Sequence, residues 1–369
     1  FKGFSKIIFK KLAEMRISFR GGEKMFNKHL DKVVSRENLT LAEMKEAMSM
    51  VMEGKTTDSQ LAAFLVGLRM KGETIDEITG AASVMRSKAA GVKTEARDLI
   101  DSCGTGGDEK GTFNISTTTA LVMAAGGLNV AKHGNRSVSS KSGSADLLEA
   151  LGVKIDLSPE AAGKCLDEIG ISFLFAPHFH QAMKYAVGPR KELGLRTIFN
   201  ILGPLTNPAE ADYQILGVYK EELVMPLAHV LKNLGLKSAM VVYGAGGVDE
   251  LSLAGENKTA YLKDGKIREY NFRAEDAGLK AASLESILGG EPEENKEITL
   301  DILQGKKGPK RDVILLNSAA AFLVEDKVES LREGVQLAEE LIDSGKAMQK
   351  LEELINCSNS LDSSSRAVS

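Results

Sequence analysis

An α/β architecture, with a small all-α N-terminal lobe ahead of a larger domain built on a mainly parallel central sheet, is what this sequence predicts. Three observations carry it. Three helix-start signatures follow one another from Thr40 onward. Past Val92 the helical spacing of apolar residues gives way to short apolar runs that alternate with helical ones. From Leu99 to Ala150 the chain then reads strand, Gly-rich loop, helix, strand, polar loop, so both loops leave the same carboxyl edge of a parallel sheet.

Taken in order, residues 1–24 stand apart from the rest. They are basic, with Glu14 the one acid among the first twenty, and show no core pattern. A targeting presequence would read this way. The preferred expectation is a non-native or disordered extension, because Arg20-Gly21-Gly22-Glu23-Lys24 is what a purine-rich ribosome-binding sequence ahead of Met25 would encode. The helical lobe is expected over 25–93. Thr40 with Glu43, Thr57 with Gln60 and Thr74 with Glu77 form capping boxes, each opening a run with one apolar face: Leu41, Met44, Met48 and Val51; Leu61, Phe64, Leu65 and Leu68; Ile75, Ile78, Ala82 and Met85. Gly54, Gly72 and Gly91 fall where those helices should stop.

The α/β domain is expected over 94–357. Cys103-Gly104-Thr105-Gly106-Gly107-Asp108 puts three glycines in four positions after a strand, which lets backbone N–H groups converge on an anion such as phosphate. Asn114-Ile115-Ser116-Thr117 opens a helix that Gly126-Gly127 ends, and free N–H groups at that start favour an anion too. After a strand from Leu128 to Ala131, Lys132-His133-Gly134-Asn135-Arg136 and Ser137, Ser139, Ser140, Ser142 and Ser144 supply two cations, an imidazole, an amide and a row of hydroxyls. Glu109 occupies the third glycine position of a dinucleotide fingerprint, and no GxxxxGK[ST] loop is present, so neither of those phosphate sites is predicted.

Further on, Ser158-Pro159-Glu160 starts a helix to Gly170, Ile171–Ala176 reads as a strand, and Pro177-His178-Phe179-His180 begins a loop and helix. A helix bracketed by Gly188-Pro189 and by Gly203-Pro204 and Asn207-Pro208 follows. Strands at Tyr213–Tyr219 and Ser238–Tyr243 flank a helix from Glu221 to Leu234. The second runs into Gly244-Ala245-Gly246-Gly247-Val248-Asp249-Glu250, an echo of the first Gly-rich loop. The charged segment Leu262–Arg311 is expected to hold edge strands and surface loops, Asp312–Lys346 helix, and the serine-rich tail 358–369 no order.

Composition narrows the function classes. With 369 residues, 43% hydrophobic and 27% charged, the chain can bury a sizeable core, and no apolar run reaches membrane-spanning length. A net charge of −4 argues against a broad nucleic-acid surface. Cys103, Cys165 and Cys357 have no metal-ligand spacing and form no disulfide framework, which fits a reducing cytoplasm.

The loops GTGGD, NIST and KHGNR, followed by SGSAD, stand in the order and spacing that resembles the anthranilate phosphoribosyltransferases of tryptophan biosynthesis. The resemblance runs from about Met25 to Leu354. It implies a nucleoside phosphorylase/phosphoribosyltransferase-like fold in which 188–208 returns to the helical lobe, and transfer of the phosphoribosyl group from phosphoribosyl pyrophosphate to the amine of anthranilate. It assigns Gly104, Gly107, Asp108, Thr112, Asn114, Ile115, Ser116, Thr117, Lys132, His133, Gly134, Asn135, Arg136, Ser137, Val138, Ser139, Ser140 and Ser144 to phosphoribosyl pyrophosphate. Gly104, Asn135 and Arg190 would meet anthranilate, and Ser116, Asp249 and Glu250 would bind Mg²⁺. It further implies a cytoplasmic homodimer joined through the helical lobe, with small-molecule substrates and no nucleic-acid or membrane partner.

The chemistry agrees with that assignment. The sugar substrate carries anions at two ends of a ribose, so two anion loops suit it, and Mg²⁺ takes carboxylates together with phosphate oxygens. Arg190 offers a planar fork for the aromatic carboxylate. An aromatic amine is neutral at pH 7 and needs no base before attack; His133 could orient substrate or take up the proton, and equally could be structural. His178 and His180 read as pocket wall or packing, Cys103 as a small buried residue. Two other readings compete: a pyrimidine nucleoside phosphorylase, against which NIST, Asn135 and the Asp249-Glu250 pair weigh, and a non-catalytic nucleic-acid-binding relative, against which the net negative charge weighs.

Overall fold

A computed structural model describes residues 25–137 and 141–366. The expectations for residues 1–24, for Val138, Ser139 and Ser140, and for the last three residues of the tail lie outside the described residues. The chain divides into a helical unit, residues 25–89 with His180–Leu202, and an α/β unit, Ala90–Phe179 with Gly203 onward. The sequence had placed the returning segment at 188–208.

The helical unit opens with α1 (25–34), α2 (Leu41–Met52), α3 (Asp58–Lys71) and α4 (Ile75–Lys88). All three capping boxes form, with Thr40, Thr57 and Thr74 accepting from the N–H of Glu43, Gln60 and Glu77. Gly72 ends α3 and Gly54 lies just past α2, but α4 stops at Ala89 with no glycine, and Gly91 belongs to the other unit. The predicted faces form the core except at the first residue of two of them: Met44, Met48, Val51, Leu61, Phe64, Leu65, Leu68, Ile78, Ala82 and Met85 are buried, while Leu41 and Ile75 are half-buried.

The α/β unit continues with β1 (Leu99–Gly104), α5 (Ile115–Ala125), β2 (Asn129–Gly134), α6 (Ser144–Ala150), α7 (Pro159–Ile169), β3 (Ile171–Phe175) and the single turn α8 (Ala176–Phe179). The chain then adds α9 (Lys184–Leu193) and α10 (Phe199–Leu202) to the helical unit. The Gly188-Pro189 pair was expected to open this helix; instead α9 starts four residues earlier and Pro189 sits inside it. Packing overrides the local signal: the Tyr185 ring lies where a side chain on Gly54 would stand, and Ala186 is fully buried.

Back in the α/β unit come β4 (Tyr213–Gly217), α11 (Val224–Asn233), β5 (Ser238–Tyr243), β6 (Lys258–Lys263), β7 (Lys266–Glu269), α12 (Pro292–Leu303), α13 (Pro309–Val324), α14 (Leu331–Asp343) and α15 (Lys346–Arg366). The sheet order is β3-β2-β1-β4-β5-β6-β7, parallel from β3 to β5 and antiparallel at the β6–β7 edge. Strand succession runs outward from β1 to β3 on one side and from β4 on the other, so the crevice of a doubly wound sheet opens between β1 and β4.

Three expectations are corrected here. β2 runs on through Lys132, His133 and Gly134, which pair with Phe173, Leu174 and Phe175 of β3, so these residues belong to a strand and not to the polar loop. Helix α12 lies within the segment expected to be loops and edge strands. Two of its buried positions are Asn295 and Thr299, beside Ile302 and Leu303, so the apolar pattern that would have shown the helix is half polar. The tail expected to lack order from Ser358 is helical to Arg366: Ser358 is fully buried, accepts from the Lys154 N–H at 3.1 Å and donates to the Ile355 carbonyl at 3.1 Å.

Candidate active site

The parallel strands β2, β1 and β4 each end in glycine, at Gly134, Gly104 and Gly217, and Gly244 directly follows β5. Each glycine makes room for a neighbouring loop. A Cβ on Gly104 would strike the Asp249 carboxylate, on Gly217 the Asp249 carbonyl, on Gly244 the Glu250 carbonyl, and on Gly134 the Ser144 hydroxyl. The sequence reading found Gly104 and Gly134 by their motifs but assigned nothing to Gly217, whose role depends on a loop after a later strand.

Through that clearance the acid pair crosses β4 to the β1 loop. The Gly106 N–H donates to Asp249 Oδ2 at 2.7 Å, and the Ser116 N–H, in the first turn of α5, donates to Glu250 Oε1 at 3.1 Å. Gly106 and Gly107 hold φ values of 67° and 78°, a region open to glycine, which turns the loop over. Asp108 Oδ1 accepts from the Lys110 N–H at 3.1 Å and its Oδ2 from the Asp249 N–H at 3.4 Å. The two carboxyls lie deep in the fold while keeping part of their surface open. Burial, then the Asp108 charge, pushes the Asp249 pKa up; burial, then the Asp249 charge, does the same to Glu250, against the donors Gly106 and Ser116.

Two adjacent acids so destabilised as anions suit a divalent cation. Among the described residues no group of three or more His, Cys, Asp or Glu side chains could hold a metal, so Mg²⁺ on this pair would complete its shell with the Ser116 hydroxyl, phosphate oxygens and water. The residues present fit that ion.

The remaining predicted residues divide by what they can offer. Asn114 does not cap α5 with its side chain. Its Oδ1 accepts from Ser142 Oγ at 3.1 Å and from Asn295 Nδ2 at 2.9 Å, while its Nδ2 donates to the Ser142 carbonyl at 3.0 Å, tying the two predicted anion loops together. Ile115 and Thr117 are buried and face the core. Lys132 is buried and donates to the Ser102 carbonyl at 2.5 Å, and its charge favours the ionised forms of Asp101 and Glu250; it is an interior counter-charge more than a surface cation. His133 is buried in β2, its N–H donating to Asp101 Oδ1 at 3.1 Å. Arg136 is clamped by Asp146 at 3.0 Å and by both oxygens of Glu149 at 2.5 and 2.9 Å. The Asn135 side chain accepts from the Arg136 N–H, and Ser144 Oγ donates to the Asn135 carbonyl. Thr112 bridges to Leu288, and Ser137 donates its N–H to Asp146. Burial pushes the Cys103 thiol well up, as expected of a packed residue and not of a nucleophile.

Arg190 lies in the helical unit, on α9. Its guanidinium stands 5.1 Å from the centre of the Phe199 ring, and burial draws its pKa below the ordinary arginine value. A partly desolvated cation with an aromatic beside it is a strong partner for a carboxylate.

Comparison with known proteins supports the fold and identifies the family. The helical bundle domain of the glycosyl transferase family matches residues 27–89, and the a/b domain of that family matches 96–348. Anthranilate phosphoribosyltransferase from Petrotoga mobilis is 59% identical over 337 residues, covering 91% of this chain and 98% of the relative, and that from Acetivibrio thermocellus is 53% identical over 336 residues, covering 91% and 97%. The crystal structure of the Thermus thermophilus enzyme superposes with a TM-score of 0.85 at 45% identity, covering 89% of this chain and 99% of that one. The Saccharomyces cerevisiae enzyme in complex with PRPP and Mg superposes at 0.84 with 29% identity, covering 92% and 99%. With both domain models matched in order and relatives above half identity along nine-tenths of its length, the chain belongs to the anthranilate phosphoribosyltransferase family.

Proposed function

We propose that the protein transfers the phosphoribosyl group of phosphoribosyl pyrophosphate to the amine of anthranilate, giving N-(5-phosphoribosyl)anthranilate and pyrophosphate for tryptophan biosynthesis. The meeting of the Gly104–Asp108 loop, the start of α5 and the Asp249-Glu250 pair at one edge of the sheet carries this reading, since it places N–H donors beside two acids where a metal-bound polyanion would be held. The nucleoside phosphorylase and nucleic-acid-binding readings find no support among the relatives described above.

In this reading the phosphoryl oxygens lie against the Gly104–Asp108 loop and the first turn of α5, where the Gly106 and Ser116 N–H groups hold the two acids in place. Asp249, Glu250 and Ser116 would hold Mg²⁺, which, when bound, neutralises charge on the departing pyrophosphate. Arg190 takes the anthranilate carboxylate. The amine nitrogen attacks C1 as pyrophosphate leaves, the C1–O bond breaking as the C1–N bond forms, and the proton is lost afterward to solvent. The protein would act in the cytoplasm as a homodimer whose interface covers the exposed Met25, Val34 and Met70 of the helical unit.

Loss of anthranilate fluorescence with phosphoribosyl pyrophosphate and Mg²⁺ tests this. Turnover should require both additions, and Arg190→Ala should raise the KM for anthranilate by roughly 10–100-fold, the worth of about 1.5–3 kcal/mol for a charge-assisted pair. A folded wild-type protein with no turnover would overturn the reading.

A further inference from the structure

The backbone that follows the acid pair belongs to no strand, yet it is buried. Leu251, Ser252 and Leu253 are at most 1% exposed. Buried backbone groups require partners, and a sheet would normally supply them. Here two asparagines do so. On α13, Asn317 Oδ1 accepts from the Leu251 N–H at 3.1 Å, and its Nδ2 donates to the Leu251 carbonyl at 3.0 Å and to the Val313 carbonyl at 2.8 Å. Just before β6, Asn257 Oδ1 accepts from the Ser252 N–H at 2.8 Å and the Ala245 N–H at 3.4 Å, while its Nδ2 donates to the Ser252 carbonyl at 3.0 Å and the Phe272 carbonyl at 3.4 Å. Both side chains are 2% exposed or less.

A carboxamide carries the same donor and acceptor as a peptide unit. Consecutive residues 251 and 252 are therefore each held, N–H and carbonyl together, by a side chain that replaces a neighbouring strand. Asn257 also grips Ala245, so both ends of the loop that carries Asp249 and Glu250 are fixed. We infer that Asn257 and Asn317 are positioning residues for the Asp249-Glu250 carboxylates, setting where these acids meet Gly106 and Ser116 before any ion arrives. The inference rests on the reading of that pair as the Mg²⁺ site.

Asn317→Asp keeps the acceptor for Leu251 and removes both donations, and Tyr261→Phe, which loses a buried bond to the Leu323 carbonyl near the end of α13 and touches neither residue 251 nor 252 by hydrogen bond, serves as a stability control. Three quantities are measured: amide hydrogen exchange over 249–252 in the metal-free wild type, Mn²⁺ binding by water-proton relaxation in the presence of pyrophosphate, and the Mg²⁺ dependence of turnover. The 251 and 252 amides should be protected as strongly as those of β5. Asn317→Asp should weaken Mn²⁺ binding and raise the half-saturating Mg²⁺ about tenfold with the anthranilate KM unchanged, while Tyr261→Phe lowers the melting temperature and changes neither. Unprotected 251 and 252 amides in the wild type, or an Asn317→Asp protein that loses stability like the control but binds Mn²⁺ normally, would overturn the inference. Wild-type Mn²⁺ binding that survives Asp249→Asn would instead overturn the metal reading, and the positioning role with it.

Discussion

Gly104–Glu109 and Gly244–Glu250 are almost the same words, glycines and then two acids after an apolar strand, yet the two loops present opposite chemistry. The first turns the Gly106 N–H toward the second loop, its Asp108 bridges the Lys110 and Asp249 N–H groups, and only Glu109 is exposed, with a φ of 58°. The second sends its acids into the fold. The difference is one residue. Val248, fully buried, bridges back to Gly244 and closes the turn before the acids begin, so Asp249 and Glu250 come after the turn and not within it. A single apolar anchor thus shifts the acids from the turn to the segment after it, and the two loops meet by reciprocal bonds, Gly106 N–H to Asp249 and Asp249 N–H to Asp108.

Exchanging the acids one loop at a time tests that contrast most directly. Asp249→Asn and Glu250→Gln should each lower kcat/KM by about 100-fold or more, roughly 3 kcal/mol, if each acid is needed for the metal. Glu109→Gln should stay within about twofold. Equal losses in both loops would mean that the loops share one role. A smaller effect should come from the room beneath the second loop. In Gly217→Ala the added methyl would meet the Asp249 carbonyl, and displacing backbone at a cost of about 1–3 kcal/mol should reduce turnover about 10- to 100-fold through the Mg²⁺ dependence. Gly203→Ala, with open space around the new methyl, is the matched control.

How much of this was legible beforehand follows from which forces are local. The three capping boxes are bonds between residues three apart, and they appeared as read. The β1–α5–β2 core of the site was equally visible, because a glycine loop between an apolar strand and a helix start constrains its own geometry. What stayed hidden depends on distant partners. Gly217 is required by residue 249, Asn295 by residue 114, Asn317 by residue 251. Polar residues on buried faces, such as Asn295 in α12 and Ser358 in α15, erased the apolar periodicity that would have marked their helices. Lys132 read as a cation of the polar loop because the apolar run stops at Ala131; its place in β2, where its charge acts on Asp101, is set by the sheet.

The acid pair also invites comparison with Glu325, just past the end of α13, whose pKa is raised to about 7 by burial and then by the Asp98 charge. Its Oε2 is buried with no hydrogen-bond partner. The burden on Asp249 and Glu250 would be offset by a bound ion, whereas at Glu325 the opposing influence is the Lys327 charge, weaker than burial and the Asp98 charge. For an acid whose folded pKa is raised, the unfolded chain ionises first. Stability is therefore lost as pH climbs from the unfolded value near 4.5 to about 7, and the loss is complete above that. Glu325→Gln should remove the loss. Allowing for solvent screening at a half-buried site, the gain is about 1–2 kcal/mol, or a rise of about 2–4 °C in melting temperature at pH 8, with none at pH 4 and no change in turnover. A melting temperature unmoved at pH 8 would show that solvent already relieves this carboxylate of both its burial and the Asp98 charge.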